Sequence, residues 1–238
     1  MKFILIIIVL VFIFIVIQAV ITKRRINIGI ELVKKTIPFS REIQDAEIRI
    51  LVIGDSTAVG VGAERPELSI AGRVAETFPE ASIVNAGVSG ERTRDLSARL
   101  EVLEEHYDLI MLHIGGNDIV RFTNLKELEA NISQVLELAT SKADHVTLTT
   151  SGSLGTAKLL PLGSRTLYEH RTRKVRAIFM QAAEKHRVPY VDLFREKKDD
   201  PFAQDPKKYY AVDIFHPSGE GYGDWYTFIV KILERIDF

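Results

Sequence analysis

Short β-branched apolar runs alternate with amphipathic helical stretches along most of this chain, and that alternation limits the fold more than any other feature. The first run, Ile48-Arg49-Ile50-Leu51-Val52-Ile53, leads straight into Gly54-Asp55-Ser56. Its length and β-branching predict a buried strand with Ser56 at the carboxyl end. Further strands are expected at Ser82–Asn85, Leu109–Ile114, His145–Thr150 and Pro189–Leu193. Helical periodicity falls between them, near 68–78, 93–106, 124–141 and 166–187, with a last stretch at 218–235. Parallel neighbours need crossovers long enough to hold a helix, and each crossover must return across the sheet. The expectation is an α/β domain of three layers, α/β/α, around a central parallel five-stranded sheet. Ligands in such sheets bind beyond the carboxyl ends of the strands.

One segment stands outside the pattern. Phe3 to Ile21 is an apolar run interrupted only by Gln18. As a helix it would extend roughly 28 Å, close to the hydrocarbon thickness of a bilayer. A cleaved signal peptide is the competing explanation; it fits poorly with the length of the run, the short Met1-Lys2 start and the weak small-residue site at Ile17-Gln18-Ala19. The chain therefore divides into an anchor at 1–22, a charged linker at 23–47 and one domain at 48–238. Lys23, Arg24 and Arg25 follow the run at once, so the positive-inside rule favours a cytoplasmic domain, with the exported or periplasmic side as the alternative.

A formal net charge of −1 gives no reason to expect a nucleic-acid partner, and Arg171-Thr172-Arg173-Lys174 reads as a solvated helix face. With no cysteine, disulfides, thiolate catalysis and cysteine-ligated metals are excluded. His106, His113, His145, His170 and His186 lack paired ligand spacing, so neither a metal site nor a cofactor is expected. His113, within the third strand, reads as a hydrogen-bonded core or pocket-wall residue.

Four blocks carry chemistry: Gly54-Asp55-Ser56-Thr57, Asn85-Ala86-Gly87-Val88-Ser89-Gly90, Gly115-Gly116-Asn117-Asp118 and Asp213-Ile214-Phe215-His216-Pro217. Ser56 can act as a nucleophile, His216 as the base that takes its proton, and Asp213 as the carboxylate that orients the imidazole. The Ser56 and Gly90 backbone N–H groups and the Asn117 side-chain amide can serve a developing oxyanion. Ser56, Gly90 and Asn117 each follow one of the first three predicted strands, which brings them to one edge of the sheet. Pro217 biases His216 away from helix, so Asp213 and His216 are expected on a short loop with their side chains on the same side.

The order of these blocks resembles the SGNH hydrolases, also called the GDSL esterase/lipase family, over roughly residues 48–235. That resemblance implies the family's flavodoxin-like fold, Ser56 as nucleophile, Asp213 and His216 as the rest of a triad, and Gly90 and Asn117 completing the oxyanion hole. Thr57 stands where the family's name expects Leu, a position without a chemical role. The implied activity is serine ester hydrolysis without a cofactor on a small-molecule or lipid ester. Lysophospholipase, thioesterase and small-ester hydrolase are all within its range. Acyltransfer, carbohydrate O-deacetylation and a catalytically silent membrane-tethered binding module are the alternatives, and oligomeric state is left open.

The remaining residues have structural readings. Asp55 is expected to hold the backbone around Ser56, Gly87 and Gly90 to meet backbone demands, and Asp118 to cap the helix that follows it. Ser151 to Arg165 is a long connection containing Leu154, Leu159, Leu160, Pro161 and Leu162. It is either an acyl-binding lip or apolar packing under the sheet edge. Arg165, Tyr168 and Arg171 either border a pocket or face solvent.

Overall fold

A computed structural model describes residues 2–161 and 163–238. Five parallel strands form one sheet: β1 (Ile48–Gly54), β2 (Ala81–Gly87), β3 (Tyr107–His113), β4 (Ala143–Thr149) and β5 (Tyr190–Val191), in the order β2-β1-β3-β4-β5. The helices are α1 (Lys2–Lys35), α2 (Ser56–Val59), α3 (Ile70–Thr77), α4 (Thr93–Glu101), α5 (Gly116–Val120), α6 (Leu125–Lys142), α7 (Arg165–His186), α8 (Pro201–Gln204), α9 (Pro206–Tyr209) and α10 (Gly219–Leu233). Helix α3 packs with α10, whereas α4, α6 and α7 pack together, and these two groups cover the sheet from opposite sides. The order reverses at β1, between β2 and β3, and at such a switch point the connections leave in opposite directions and open a crevice.

Burial explains the strand sequences. Ile50, Leu51, Val52 and Ile53 of β1 and Leu109, Ile110, Met111 and Leu112 of β3 are all buried. A strand covered on both faces must be apolar at consecutive positions, so these segments read as continuous runs rather than alternations. Each fully buried side chain contributes about 1.5–3 kcal/mol of transfer free energy. β5 is the shortest strand, two residues within the expected Pro189–Leu193, because only Leu148 and Thr149 of β4 pair with it.

The expected boundary between anchor and linker does not interrupt the backbone. α1 runs through it to Lys35. Lys, Arg, Glu and Leu between 23 and 35 are good helix formers, Gly29 is the weakest residue of the stretch, and no proline occurs before Pro38. The remainder of the expected linker is tied to the edge of β2. Arg41 exchanges backbone hydrogen bonds with Ile83 at 2.9 and 2.7 Å, and its guanidinium donates to the carbonyls of Ala75, Phe78 and Ala81. This contact covers donors and acceptors that an open sheet edge would leave unpaired.

Candidate active site

The carboxyl end of β1 sets the geometry. Gly54 has φ +139°, and a Cβ there would lie 1.9 Å from the His113 carbonyl oxygen, so β1 can approach the end of β3 only with glycine at this position. Asp55 then caps α2: its carboxylate accepts from the Thr57 N–H at 2.9 Å and the Thr57 hydroxyl at 2.8 Å, as expected for a residue that holds this turn. The N–H groups of Ala58 and Val59 donate to the Asp55 carbonyl. Ser56 thereby occupies the first position of a short, well-anchored helix. Burial pushes the Asp55 carboxyl up to about 6, against the lowering effect of its Thr57 bonds.

The fourth block closes on Ser56 from the other end of the chain. Ala211 donates its N–H to the His216 carbonyl at 2.8 Å, and Ile214 donates to the Ala211 carbonyl at 2.9 Å, forming a tight turn. Ile214 sits at φ +57°, a conformation unfavourable for a β-branched side chain. That backbone brings Asp213 and His216 to the same side. One carboxylate oxygen of Asp213 accepts from the backbone N–H groups of Phe215 and His216, both at 3.0 Å. The other lies 2.6 Å from His216 Nδ1, and His216 Nε2 lies 3.1 Å from Ser56 Oγ. All three side chains are buried.

The second and third blocks form the opposite wall. At Gly87 a Cβ would lie 2.5 Å from the Val59 nitrogen, whereas Gly90 adopts φ +87°. Gly87 thus serves a close approach of β2 to α2, and Gly90 serves a left-handed turn. Arg99 steadies this loop by donating to both carboxylate oxygens of Glu91 at 2.9 and 2.7 Å and to the Ala86 carbonyl. Asn117 lies in α5 and faces the same cavity as Ser56, Gly90 and His216. Asp118 is structural, but it does not cap its own helix, whose N-cap is Gly115. It accepts instead from the Thr93 N–H at 3.0 Å and the Thr93 hydroxyl at 2.7 Å, at the start of α4.

The cavity holds about 450 Å3. Leu154 and Leu159 line it, while Leu154 and Leu160 are both buried in the core, so the long connection after β4 borders the cavity and also packs into the domain. That connection includes a 3-10 turn at Leu154–Thr156; Leu162 lies outside the described residues. Arg165, Tyr168 and Arg171 are not among the lining residues. Arg171 and Thr172 are buried and Arg171 lies over the Phe122 ring, so only Arg173 and Lys174 of the basic block face solvent. His113 departs from expectation in another way. It is buried, neither ring nitrogen has a partner among the described residues, and burial pulls its pKa down to about 4.

The largest omission from the sequence reading is α1. Arg25, Ile26, Gly29, Ile30, Val33 and Lys34 line the cavity. The signal was present as an apolar i, i+4, i+7 series at Ile26, Ile30 and Val33, masked by the basic residues around it.

A parallel α/β sheet that carries a serine, histidine and aspartate in hydrogen-bond sequence at its switch point has the architecture of the SGNH class. The chain belongs to the GDSL-like Lipase/Acylhydrolase family, whose model matches residues 52–223. It is 30% identical over 110 residues to "Esterase TesA" of Pseudomonas aeruginosa, a match covering 44% of this chain and 55% of that protein. It is 28% identical over 109 residues to an "Arylesterase" of Vibrio mimicus, covering 43% of this chain and 54% of that protein. The chain thus spans about half the length of the curated relatives it matches. Among solved structures, LAE5, an alpha/beta hydrolase enzyme from the metagenome of Lake Arreo in Spain, superposes with a TM-score of 0.64 at 20% identity. That match covers 81% of this chain and 98% of LAE5.

Proposed function

We propose that this protein is a membrane-anchored serine ester hydrolase, with Ser56, His216 and Asp213 as its catalytic triad and Ser56, Gly90 and Asn117 as its oxyanion hole. The observation that carries the reading is the hydrogen-bond series from Asp213 through His216 to Ser56, at 2.6 and 3.1 Å. Ser56 Oγ adds to the ester carbonyl carbon while His216 Nε2 takes its proton, and Asp213 stabilises the imidazolium. The carbonyl oxygen becomes an oxyanion, received by the Ser56 and Gly90 N–H groups and the Asn117 amide. When the carbon–oxygen bond to the alcohol breaks, His216 returns the proton to the leaving oxygen. Water repeats the sequence on the acyl-enzyme, releasing the carboxylic acid and free Ser56. The route needs no cofactor.

The anchor is part of the proposal. The large apolar residues from Phe3 to Ile17, together with Val20 and Ile21, are exposed, and burial in lipid is the arrangement that removes them from water. Lys23, Arg24 and Arg25 favour a cytoplasmic domain.

The test is a serine-directed phosphonate combined with Ser56→Ala and His216→Ala. The phosphonate should label Ser56, and each variant should remove nearly all turnover of p-nitrophenyl acetate while the domain stays folded by circular dichroism. Labelling elsewhere, or near-normal turnover in either variant, would refute the assignment.

A further inference from the structure

α1 does not end where its bilayer-length apolar run ends. The backbone continues as one helix to Lys35, and this second half lies against the active-site cavity. Gly29 is the one buried residue of α1, and a Cβ there would come 3.1 Å from the Asp213 carboxylate oxygen that bonds His216. Glycine is the weakest non-proline residue in a helix interior, and here it allows the helix backbone to close over the aspartate. Four residues earlier, the Arg25 guanidinium donates to the Lys158 carbonyl, next to Leu159 of the cavity wall. The helix is therefore held to the domain at two neighbouring turns.

Ile26, Ile30 and Val33 lie on the cavity side of this segment. Ile26 and Ile30 are 46% and 47% exposed, so they form an apolar rim that the protein itself does not cover. Leu154, Leu159 and Phe215 contribute to the same cavity. At about 1.5 Å of rise per residue, Ile26 stands roughly 8 Å and Val33 roughly 18 Å beyond Ile21 along the helix. If residues up to Ile21 lie in hydrocarbon, this rim is a short distance above the lipid headgroups, on the element that crosses the bilayer. A hydrocarbon chain leaving the leaflet could follow it without full exposure to water.

We infer that the juxtamembrane segment Arg25–Lys34 is a wall of the substrate pocket, with Ile26 and Ile30 as specificity-determining residues for a membrane-resident, amphiphilic ester. This rests on the serine-hydrolase reading and deepens it. The helix that anchors the enzyme also selects a long hydrocarbon chain on the substrate, and the leaflet is the source of that substrate.

The experiment uses the full chain in nanodiscs, with p-nitrophenyl acetate and p-nitrophenyl decanoate as substrates. Ile26→Ser combined with Ile30→Ser should lower the decanoate-to-acetate ratio of kcat/KM by about tenfold or more, as expected when apolar contacts are removed from a pocket. Because both isoleucines are half exposed, the change should not unfold the domain. A second measurement does not depend on turnover. The chain has no cysteine, so Ile30→Cys supplies a single thiol for maleimide. A decyl phosphonate on Ser56 should slow labelling of that thiol several-fold, and a methyl phosphonate should not. An unchanged decanoate-to-acetate ratio, a parallel fall on both esters, or labelling indifferent to the decyl chain would each overturn the wall. Those results with Ser56 still labelled and acetate still hydrolysed would leave the serine-hydrolase reading intact. Absence of Ser56 labelling and of acetate turnover would instead remove the reading beneath it.

Discussion

Asp55 and His113 are buried neighbours in the sheet's carboxyl edge, and their opposite perturbations make a prediction about pH. Burial raises the Asp55 carboxyl from 3.8 to about 6, so between those values the folded protein holds a proton that the unfolded chain has lost. That group favours the folded state more as pH falls through this window. Burial lowers His113 from 6.5 to about 4, so there the unfolded chain binds the extra proton. Its contribution is present above 6.5 and is lost as pH falls through 4. Either group alone would change stability by about 3 kcal/mol across its window, and together they largely cancel between pH 4 and 6. Asp55→Asn, which keeps an acceptor for Thr57, should therefore expose the histidine: urea denaturation should show stability falling steeply from pH 6.5 to 4.5. A flat profile in that variant would contradict the lowered His113 pKa. At Asn117 the expected signature is kinetic. Asn117→Ala should lower kcat by roughly 10²–10³ with a smaller change in KM, because an oxyanion donor acts chiefly in the transition state. A change confined to KM would make Asn117 a ground-state contact.

At the scale of elements, the site depends on joints between segments that are distant in sequence. Asp118 of α5 holds Thr93 at the start of α4, and so ties the helix bearing Asn117 to the connection bearing Gly90. Removing a buried acceptor of two hydrogen bonds leaves donors unsatisfied. Asp118→Ala should cost about 2–3 kcal/mol in chemical denaturation and lower kcat as well, since both proposed oxyanion donors lose their support. Asp118→Asn should recover much of the stability, because one side-chain oxygen still accepts. The turn from Ala211 to His216 is another such joint, with the Leu159 N–H donating to the Ile214 carbonyl at 3.2 Å. It connects the histidine loop to the segment that lines the cavity.

For the whole molecule, the proposed anchor requires one long helix to serve two environments. Its first 20 or so residues are apolar on every side and span about 30 Å, whereas its last third is amphipathic and packs on the domain. The full chain is expected to sediment with membranes and to resist both high-salt and alkaline washes, because insertion of such a run is far stronger than surface charge attraction. Release by carbonate would show that the helix only lies on the surface. Protease added to intact cells should leave the domain uncut if the basic flank sets its side; digestion would reverse the orientation and keep the anchor.

The sequence alone determined the sheet, because a strand buried on both faces requires an unbroken apolar run and a crossover helix requires its own periodicity. Both patterns are local, and Ile48–Ile53, Leu109–Ile114 and the stretches between strands display them directly. The residues proposed for catalysis were legible for a related reason: Ser56, Gly90 and Asn117 each end a strand or follow one, so topology gathers them. Other features depend on neighbours that no local pattern identifies. Asp118 accepts hydrogen bonds at the start of a helix other than its own, His113 is buried with no partner for either ring nitrogen among the described residues, and Leu159 and Leu160 part company within a single loop. The continuation of α1 over the cavity belongs to the same group. Its composition between Lys23 and Lys35 describes a charged connection, and only the close approach of Gly29 to Asp213 turns that connection into part of the site.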